Sequence, residues 1–280
     1  MTEQAGRAPG ADFSLAGRVA IITGGAGLVG VRHAEAIASA GGIPVLADLN
    51  VDMASTHAHA IQKAFGVPAM AVRCDVTSAE SIELTLKRVR EQTGRVDILV
   101  NNAANNPKVE GTGRDFSRFE NFPLEQWNAD VAVGLTGAFL CAKIVGGALA
   151  AQKRGVIVNI SSEYGILAPD QRLYRKEGIP EEQQPVKPVT YTVVKAGLHG
   201  LTLYLSTYWA ASGVRVNTIT LGGVENAQPR DFLDRAASRI PMGRMAQAHE
   251  FQGALVYLCS DASSFVTGAN LVVDGGKSAW

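Results

Sequence analysis

From Arg18 onward, short apolar runs rich in valine and isoleucine alternate with longer stretches that carry apolar residues at helical spacing. That rhythm constrains the fold more than any other feature, because alternating strand and helix signals build βαβ units and a parallel sheet. The runs predict strands at Val19–Thr23, Ile43–Ala47, Ala69–Arg73, Ile98–Asn101, Val156–Ile160, Val214–Asn217 and Asn270–Val273. Helices are expected to begin near Leu28, Val51, Ser78, Leu124, Thr190, Pro229 and Ala248. The run Val156–Ile160 does not alternate polar with apolar residues, so such strands are buried on both faces. The expectation is an α/β chain with one doubly wound, seven-stranded parallel sheet and helices on both faces. With 280 residues, 46% of them hydrophobic, the chain can bury one large core. We assign 13–280 to that domain and 1–12, polar with glycine and proline, to a flexible tail.

Lys+Arg and Asp+Glu stand at 26 each, and no basic run is interleaved with aromatics, which argues against a nucleic-acid partner. No apolar stretch is read as reaching the ~20 residues of a membrane span, and no membrane partner is expected. Cys74, Cys141 and Cys259 lie far apart without metal-ligand spacing and are read as reduced packing residues of a cytoplasmic protein. His57 and His59 are too close for a ligand pair on one helix face, and His33, His199 and His249 are isolated, so no metal is expected. A small molecule is the expected partner.

The turn Thr23-Gly24-Gly25-Ala26-Gly27-Leu28-Val29-Gly30 joins the first strand to the first helix. Glycines there let the backbone turn sharply, approach a pyrophosphate and present helix N-terminal N–H groups to its oxygens. Asp48 ends the second strand, 18 positions after Gly30, near the spacing at which a carboxylate reaches an adenosine ribose 2′-OH. A carboxylate repels a 2′-phosphate, so NAD(H) is favoured over NADP(H) as cofactor. On this reading the domain is a Rossmann fold.

Tyr191 and Lys195 are four apart in a helical stretch, hence on one face. A phenol near pKa ~10 trades protons poorly at neutrality, and a neighbouring ammonium favours its ionised form. Ser161 and Ser162 follow the buried strand ending at Ile160, at the carboxyl end where doubly wound folds hold ligands. A hydroxyl there can hydrogen-bond a reacting oxygen. Glu163 beside Ser162 does not make a hydrolase, because the Gly-x-Ser-x-Gly elbow is missing.

Together with Cys74-Asp75-Val76, Asp97-Ile98-Leu99-Val100-Asn101-Asn102-Ala103 and Arg215-Val216-Asn217, these elements make the chain resemble the short-chain dehydrogenase/reductase family. The likeness runs from Phe13 to the terminal Val272-Val273-Asp274-Gly275-Gly276. It implies a NAD(H)-dependent oxidoreductase that moves hydride between nicotinamide and a secondary alcohol/ketone pair. Tyr191 is then the proton donor or acceptor, Lys195 lowers its pKa and holds the nicotinamide ribose, and Ser162 orients the substrate oxygen. Asp75 and Val76 are implied along the adenine, with Asn102 and Val224 lining the cofactor. A homotetramer built partly through the long helices after Leu124 and Thr190 is implied as well.

Four features depart from the family pattern. Leu28 stands where compact members have a glycine, and Gly24, Gly27 and Gly30 match the longer branch that acts on nucleotide sugars. Gly134 stands where the family has a fourth catalytic residue, an Asn, leaving a main-chain carbonyl or Asn105 to serve the water relay behind the lysine. Leu221-Gly222 replaces Pro-Gly, and Asn226 sits where a Thr often meets the carboxamide. The stretch Ile166–Val189, with Pro169, Pro180, Pro185 and Pro188, is inserted between Ser162 and Tyr191 and is expected, without regular structure, over the substrate pocket.

The run Tyr164–Asp170 and the chain end resemble a subgroup tied to flagellin and surface-polysaccharide modification, which implies a polar, sugar-like substrate. Arg172, Arg175 and Lys187 are candidate contacts for a phosphate or carboxylate. Two other readings keep the fold: a sugar isomerase or dehydratase that retains its NAD, suggested by the glycine spacing, and a catalytically silent NAD-binding subunit, suggested by Gly134.

Overall fold

A computed structural model describes residues 12–105 and 117–280. Residues 1–11 of the expected tail lie outside the described residues. The seven expected strands are all present: β1 (Val19–Thr23), β2 (Ile43–Asp48), β3 (Met70–Arg73), β4 (Ile98–Asn101), β5 (Gly155–Ser162), β6 (Val214–Leu221) and β7 (Asn270–Val273). Every pairing is parallel, in the order β3-β2-β1-β4-β5-β6-β7. After β3 the chain returns to the other side of β1, so the order reverses between β1 and β4 and opens a crevice at their carboxyl ends.

The helices are α1 (Leu28–Ser39), α2 (Val51–Phe65), α3 (Ala79–Thr93), α4 (Leu124–Val131), α5 (Gly137–Cys141), α6 (Gly147–Ala151), α7 (Val189–Tyr208), α8 (Arg230–Ala237) and α9 (Gln252–Cys259). Their ends follow local chemistry. Asn50 and Ser78 cap α2 and α3 by accepting from the N–H groups of Met53 and Ser81, and Gly66 stops α2 with left-handed backbone.

Alternate residues of each central strand serve opposite layers, as the pleat requires. Ala20, Ile22, Leu46, Val100, Val158 and Ile219 pack with α1 and α9 side chains such as Ile37, Leu255 and Leu258. Val19, Ile21, Val45, Leu99, Ile157 and Val216 pack on the other face with Ile82, Val89, Val145 and Leu205.

One expectation about apolar length is corrected. α4 to α6 run on through two π-helical turns as the 28-residue stretch Leu124–Ala151, whose most apolar 18 residues have a mean hydropathy of 1.7, enough to cross a membrane by length and composition alone. The stretch is this apolar because Cys141, Ala142, Val145 and Leu149 belong to the core.

The inserted segment is also more structured than expected. It contains short 3₁₀ turns at Gln171–Tyr174 and Glu181–Gln183. Leu173 and Tyr174 bury themselves with Phe232, Ala236, Ile240 and Met245 in a separate apolar cluster that ties the insert to α8. Asp170 accepts from both Arg172 and Arg239, and these guanidiniums hold its carboxyl well below the usual range.

Candidate active site

The crevice opens into a cavity of about 760 Å³ lined from the glycine turn at one end to Tyr174 and Phe232 at the other. Gly24 takes a φ of +63°, and a Cβ there would meet Ala103 Cα at 3.0 Å. A Cβ on Gly30 would run into the Gly24 carbonyl. The turn is therefore packed so closely on α1 and on the end of β4 that side chains are excluded. Asn102 locks it from behind, donating through Nδ2 to the carbonyls of Thr23 and Gly24 at 2.9 and 3.1 Å. Thr23 Oγ1 receives the N–H groups of Asn102 and Ala103 in return, a structural role that sequence reasoning missed.

Asp48 lines the same cavity and braces the turn, Oδ2 accepting from Ala26 N at 3.0 Å and Oδ1 from Asn50 N at 2.9 Å. Gly27, Leu28, Val224 and Asn226 line it too. Gly25, Asp75 and Val76 do not. Gly25 fits under the turn, where a Cβ would meet Leu46 Cα at 2.7 Å. Val76 packs on Gly137 of α5, and Asp75 accepts from the N–H and hydroxyl of Thr77 at 2.9 and 2.6 Å. A turn stripped of side chains, a helix N-terminus without a side-chain cap at Gly27, and a carboxylate at the far end fit a dinucleotide.

At the other end the structure brings Ser162, Tyr191 and Lys195 onto one wall. β5 delivers Ser162 and α7 delivers the other two, with the start of α7 pinned by a 2.6 Å hydrogen bond from Thr190 to the buried Asp130 on α4. The Ser162 hydroxyl lies close enough to the phenol of Tyr191 to favour its ionised form, and Tyr164 packs edge-on against the Tyr191 ring with centroids 6.4 Å apart. Burial pushes the phenol above its ordinary value; the Ser162 hydroxyl opposes this and the charge of Glu163 adds to it.

The expected lowering of the phenol by Lys195 is thus not what this arrangement gives. The lysine ammonium lies 5.9 Å from the ring centroid and donates instead to the Ile160 carbonyl at 2.8 Å. Burial, helped by the charge of Lys187, brings that ammonium down to about 8.

Gly134 explains the missing asparagine. It is buried in the first π-helical turn, and a Cβ there would meet Val194 Cγ1 at 2.5 Å, so no side chain fits. The lysine donates directly to the main-chain carbonyl of Ile160, and Asn105, named for the relay water, donates to the Ala129 carbonyl at 3.5 Å. Among the insert's cations, Arg172 and Arg175 are paired with Asp170 and Glu181, and only Lys187 lines the cavity, its ammonium 3.8 Å from the Tyr191 ring centroid.

A family model described as enoyl-(acyl carrier protein) reductase matches residues 26–278. D-threitol dehydrogenase of Mycolicibacterium smegmatis is 34% identical over 272 residues, covering 95% of this chain and 94% of its own. NADP-dependent mannitol dehydrogenase of Alternaria alternata is 34% identical over 274 residues, covering 94% and 93%. Among solved structures, gox2181 superposes with a TM-score of 0.86 at 31% identity, covering 98% of this chain and all of the other. NAD+-bound xylitol dehydrogenase superposes with a TM-score of 0.82 at 26% identity, covering 94% and 99%.

The chain belongs to the short-chain dehydrogenase/reductase family. It is a nicotinamide-dependent oxidoreductase that acts on alcohol groups. The likeness to flagellin and surface-polysaccharide enzymes draws no support from these relatives. No group of three or more potential metal ligands occurs among the described residues. Sequence reasoning also set aside Glu163, which lines the cavity, and missed Lys277, which pairs with it at 2.6 Å. Adjacency to Ser162 was a signal for the first; nothing in the sequence pointed to the second.

Proposed function

We propose that this enzyme is a NAD(H)-linked polyol dehydrogenase that interconverts a secondary alcohol of a small sugar-like polyol and the matching ketone. The observation that carries the reading is that Ser162, Tyr191 and Lys195 share one cavity with a side-chain-free glycine turn and Asp48. Gly24, Gly27, Leu28 and Gly30 would hold the pyrophosphate through backbone groups, Asp48 would take the adenosine ribose, and Asn102, Val224 and Asn226 would line the cofactor. The bound nicotinamide supplies or accepts the hydride. Tyr191 passes the proton to or from the substrate oxygen, Ser162 orients that oxygen, and Lys195 holds the ribose and the charge beside the phenol.

Polyols are favoured by the relatives named for threitol, mannitol and xylitol. NAD is favoured by Asp48, since Arg73, its partner in strand register, does not line the cavity. The mannitol relative is NADP-dependent, which makes cofactor choice the first thing to test. A homotetramer is part of the reading, supported by Phe139, Leu203, Tyr204 and Tyr208 lying exposed on α5 and α7.

The test follows nicotinamide absorbance with NAD and NADP offered separately against polyols, sugars and simple secondary alcohols. NAD-linked turnover of a polyol, abolished in Tyr191→Phe while NADH binding persists, is the expected result. Turnover surviving in Tyr191→Phe removes the assigned proton path.

A further inference from the structure

Glu163 follows Ser162 directly and opens the 3₁₀ turn Glu163–Gly165 at the mouth of β5. Its side chain is only 6% exposed, and its Oε1 meets the ammonium of Lys277 at 2.6 Å. Lys277 comes from the last turn of the chain, Lys277–Ala279, and its ammonium lies 5.0 Å from the centroid of the Tyr164 ring. That turn is built to stay. Asp274 receives the N–H groups of Gly276 and Ser278 at 2.9 and 2.8 Å, and Gly222 lets the tail in so closely that a Cβ would meet Asp274 Cα at 2.7 Å.

Both members of the pair line the cavity that holds Ser162 and Tyr191. Yet Oε2 of Glu163 is buried and has no hydrogen-bond partner among the described residues. An ionised carboxylate only accepts, and a buried acceptor left unmatched is costly, so a small rotation of the side chain that turns this oxygen towards the cavity and a ligand's donor is favoured. Because Lys277 already neutralises the carboxylate, a neutral hydroxyl suits the position better than a second cation, and a substrate carboxylate would be repelled. Glu163 follows Ser162 directly and lines the same cavity as Ser162 and Tyr191, so a hydroxyl held there shares the chamber in which the carbinol reacts.

We infer that Glu163, held in place by Lys277 of the chain end, is a specificity-determining residue that accepts a hydrogen bond from the hydroxyl next to the carbinol being oxidised. The enzyme is thereby tuned to vicinal diols and longer polyols rather than isolated alcohols. This rests on the polyol dehydrogenase reading above. A site built to meet a hydroxyl discriminates sharply against analogues that lack it, because its own polar group is then left unmatched.

The experiment compares butane-2,3-diol with butan-2-ol, using NAD-linked kcat/KM in the wild type, in Glu163→Gln and in the size-preserving double variant Glu163→Gln/Lys277→Gln. The wild type is expected to prefer the diol. In both variants the diol-to-monoalcohol ratio of kcat/KM should fall by about 10- to 100-fold. In Glu163→Gln the rise of kcat/KM with pH should also move to lower pH, because a negative charge has left the surroundings of Tyr191 while Lys277 keeps its own; in the double variant, which removes both charges, the ratio is the readout. The double variant keeps the test open should the single one leave Lys277 unpaired and the chain unfolded. A ratio unchanged in a folded variant, or equal losses on both alcohols with no shift of the pH profile, overturns the inference while leaving the dehydrogenase reading intact. A wild type that oxidises neither alcohol nor any polyol of the wider panel overturns both.

Discussion

Gly134 should be an obligate glycine because of what lies opposite it, and a mutant cycle with Val194 tests this. A Cβ at 134 would sit 2.5 Å from Val194 Cγ1, more than 1 Å inside ordinary carbon contact. Overpacking of that kind costs ~1–3 kcal/mol. Against it stands the ~0.5–1 kcal/mol that alanine gains over glycine in a helix. Gly134→Ala alone should therefore destabilise by ~0.5–2 kcal/mol, a fall in Tm of a few degrees for a chain of this size. Val194 is itself buried, so Val194→Ala should also destabilise by leaving a cavity. Because it removes the methyl that blocks position 134, the double variant should be more stable than the two single losses predict, by about 1–2 kcal/mol. Thermal unfolding at fixed protein and cofactor concentration reads all three. Strict additivity would falsify the steric account, as would a Gly134→Ala variant more stable than wild type. Once the gap is made, the kcat of Gly134→Asn/Val194→Ala against that of Gly134→Ala/Val194→Ala reports what an amide at this position contributes to turnover.

Three further outcomes follow from the same geometry. His33 is fully buried in α1, burial lowers its pKa to about 4, and neither ring nitrogen has a partner among the described residues. The folded pKa lies below the unfolded ~6.5, so the unfolded chain binds the extra proton first and stability falls as pH drops from ~6.5 towards 4. Between pH 7 and pH 5 the loss is about 2 kcal/mol, and urea midpoints should show it in the wild type but much less in His33→Leu; equal slopes in both refute the assignment. Asp48→Ser should lower the NAD-to-NADP ratio of kcat/KM by about 10- to 100-fold, and a ratio that does not move would relocate cofactor choice to another residue. In Gly165→Ala the added methyl would meet Ser161 Oγ at 2.6 Å and the Lys195 carbonyl at 2.9 Å, displacing α7 from β5. We expect kcat/KM to fall about 10- to 100-fold with a much smaller change in NADH affinity, since the lysine and phenol move while the glycine turn does not.

How far the sequence foretold this molecule depends on the range over which each feature is decided. A strand such as Val19–Thr23 was legible to the residue because a buried parallel strand announces itself in a few consecutive apolar side chains. The glycine turn and the Tyr191/Lys195 spacing were legible for the same reason: each is a local constraint written into adjacent positions. The insert was not, because Leu173 and Tyr174 find their apolar partners on α8, some sixty residues later. Nor was the ion pair between Glu163 and Lys277, whose members are common surface types made special only by the path of the chain end.

Gly134 shows the same division from the other side. Set against a family pattern it looks like a lost catalytic group; set against Val194, one position before Lys195 and sixty after the glycine, it is a packing solution that brings two helices together. The lysine donates to the Ile160 carbonyl, a backbone acceptor that no substitution can remove. A departure that reads as damage in one dimension is thus, in three, a close helix contact at Gly134, and the lysine beside it is held by an acceptor available to any sequence that keeps β5 and α7 together.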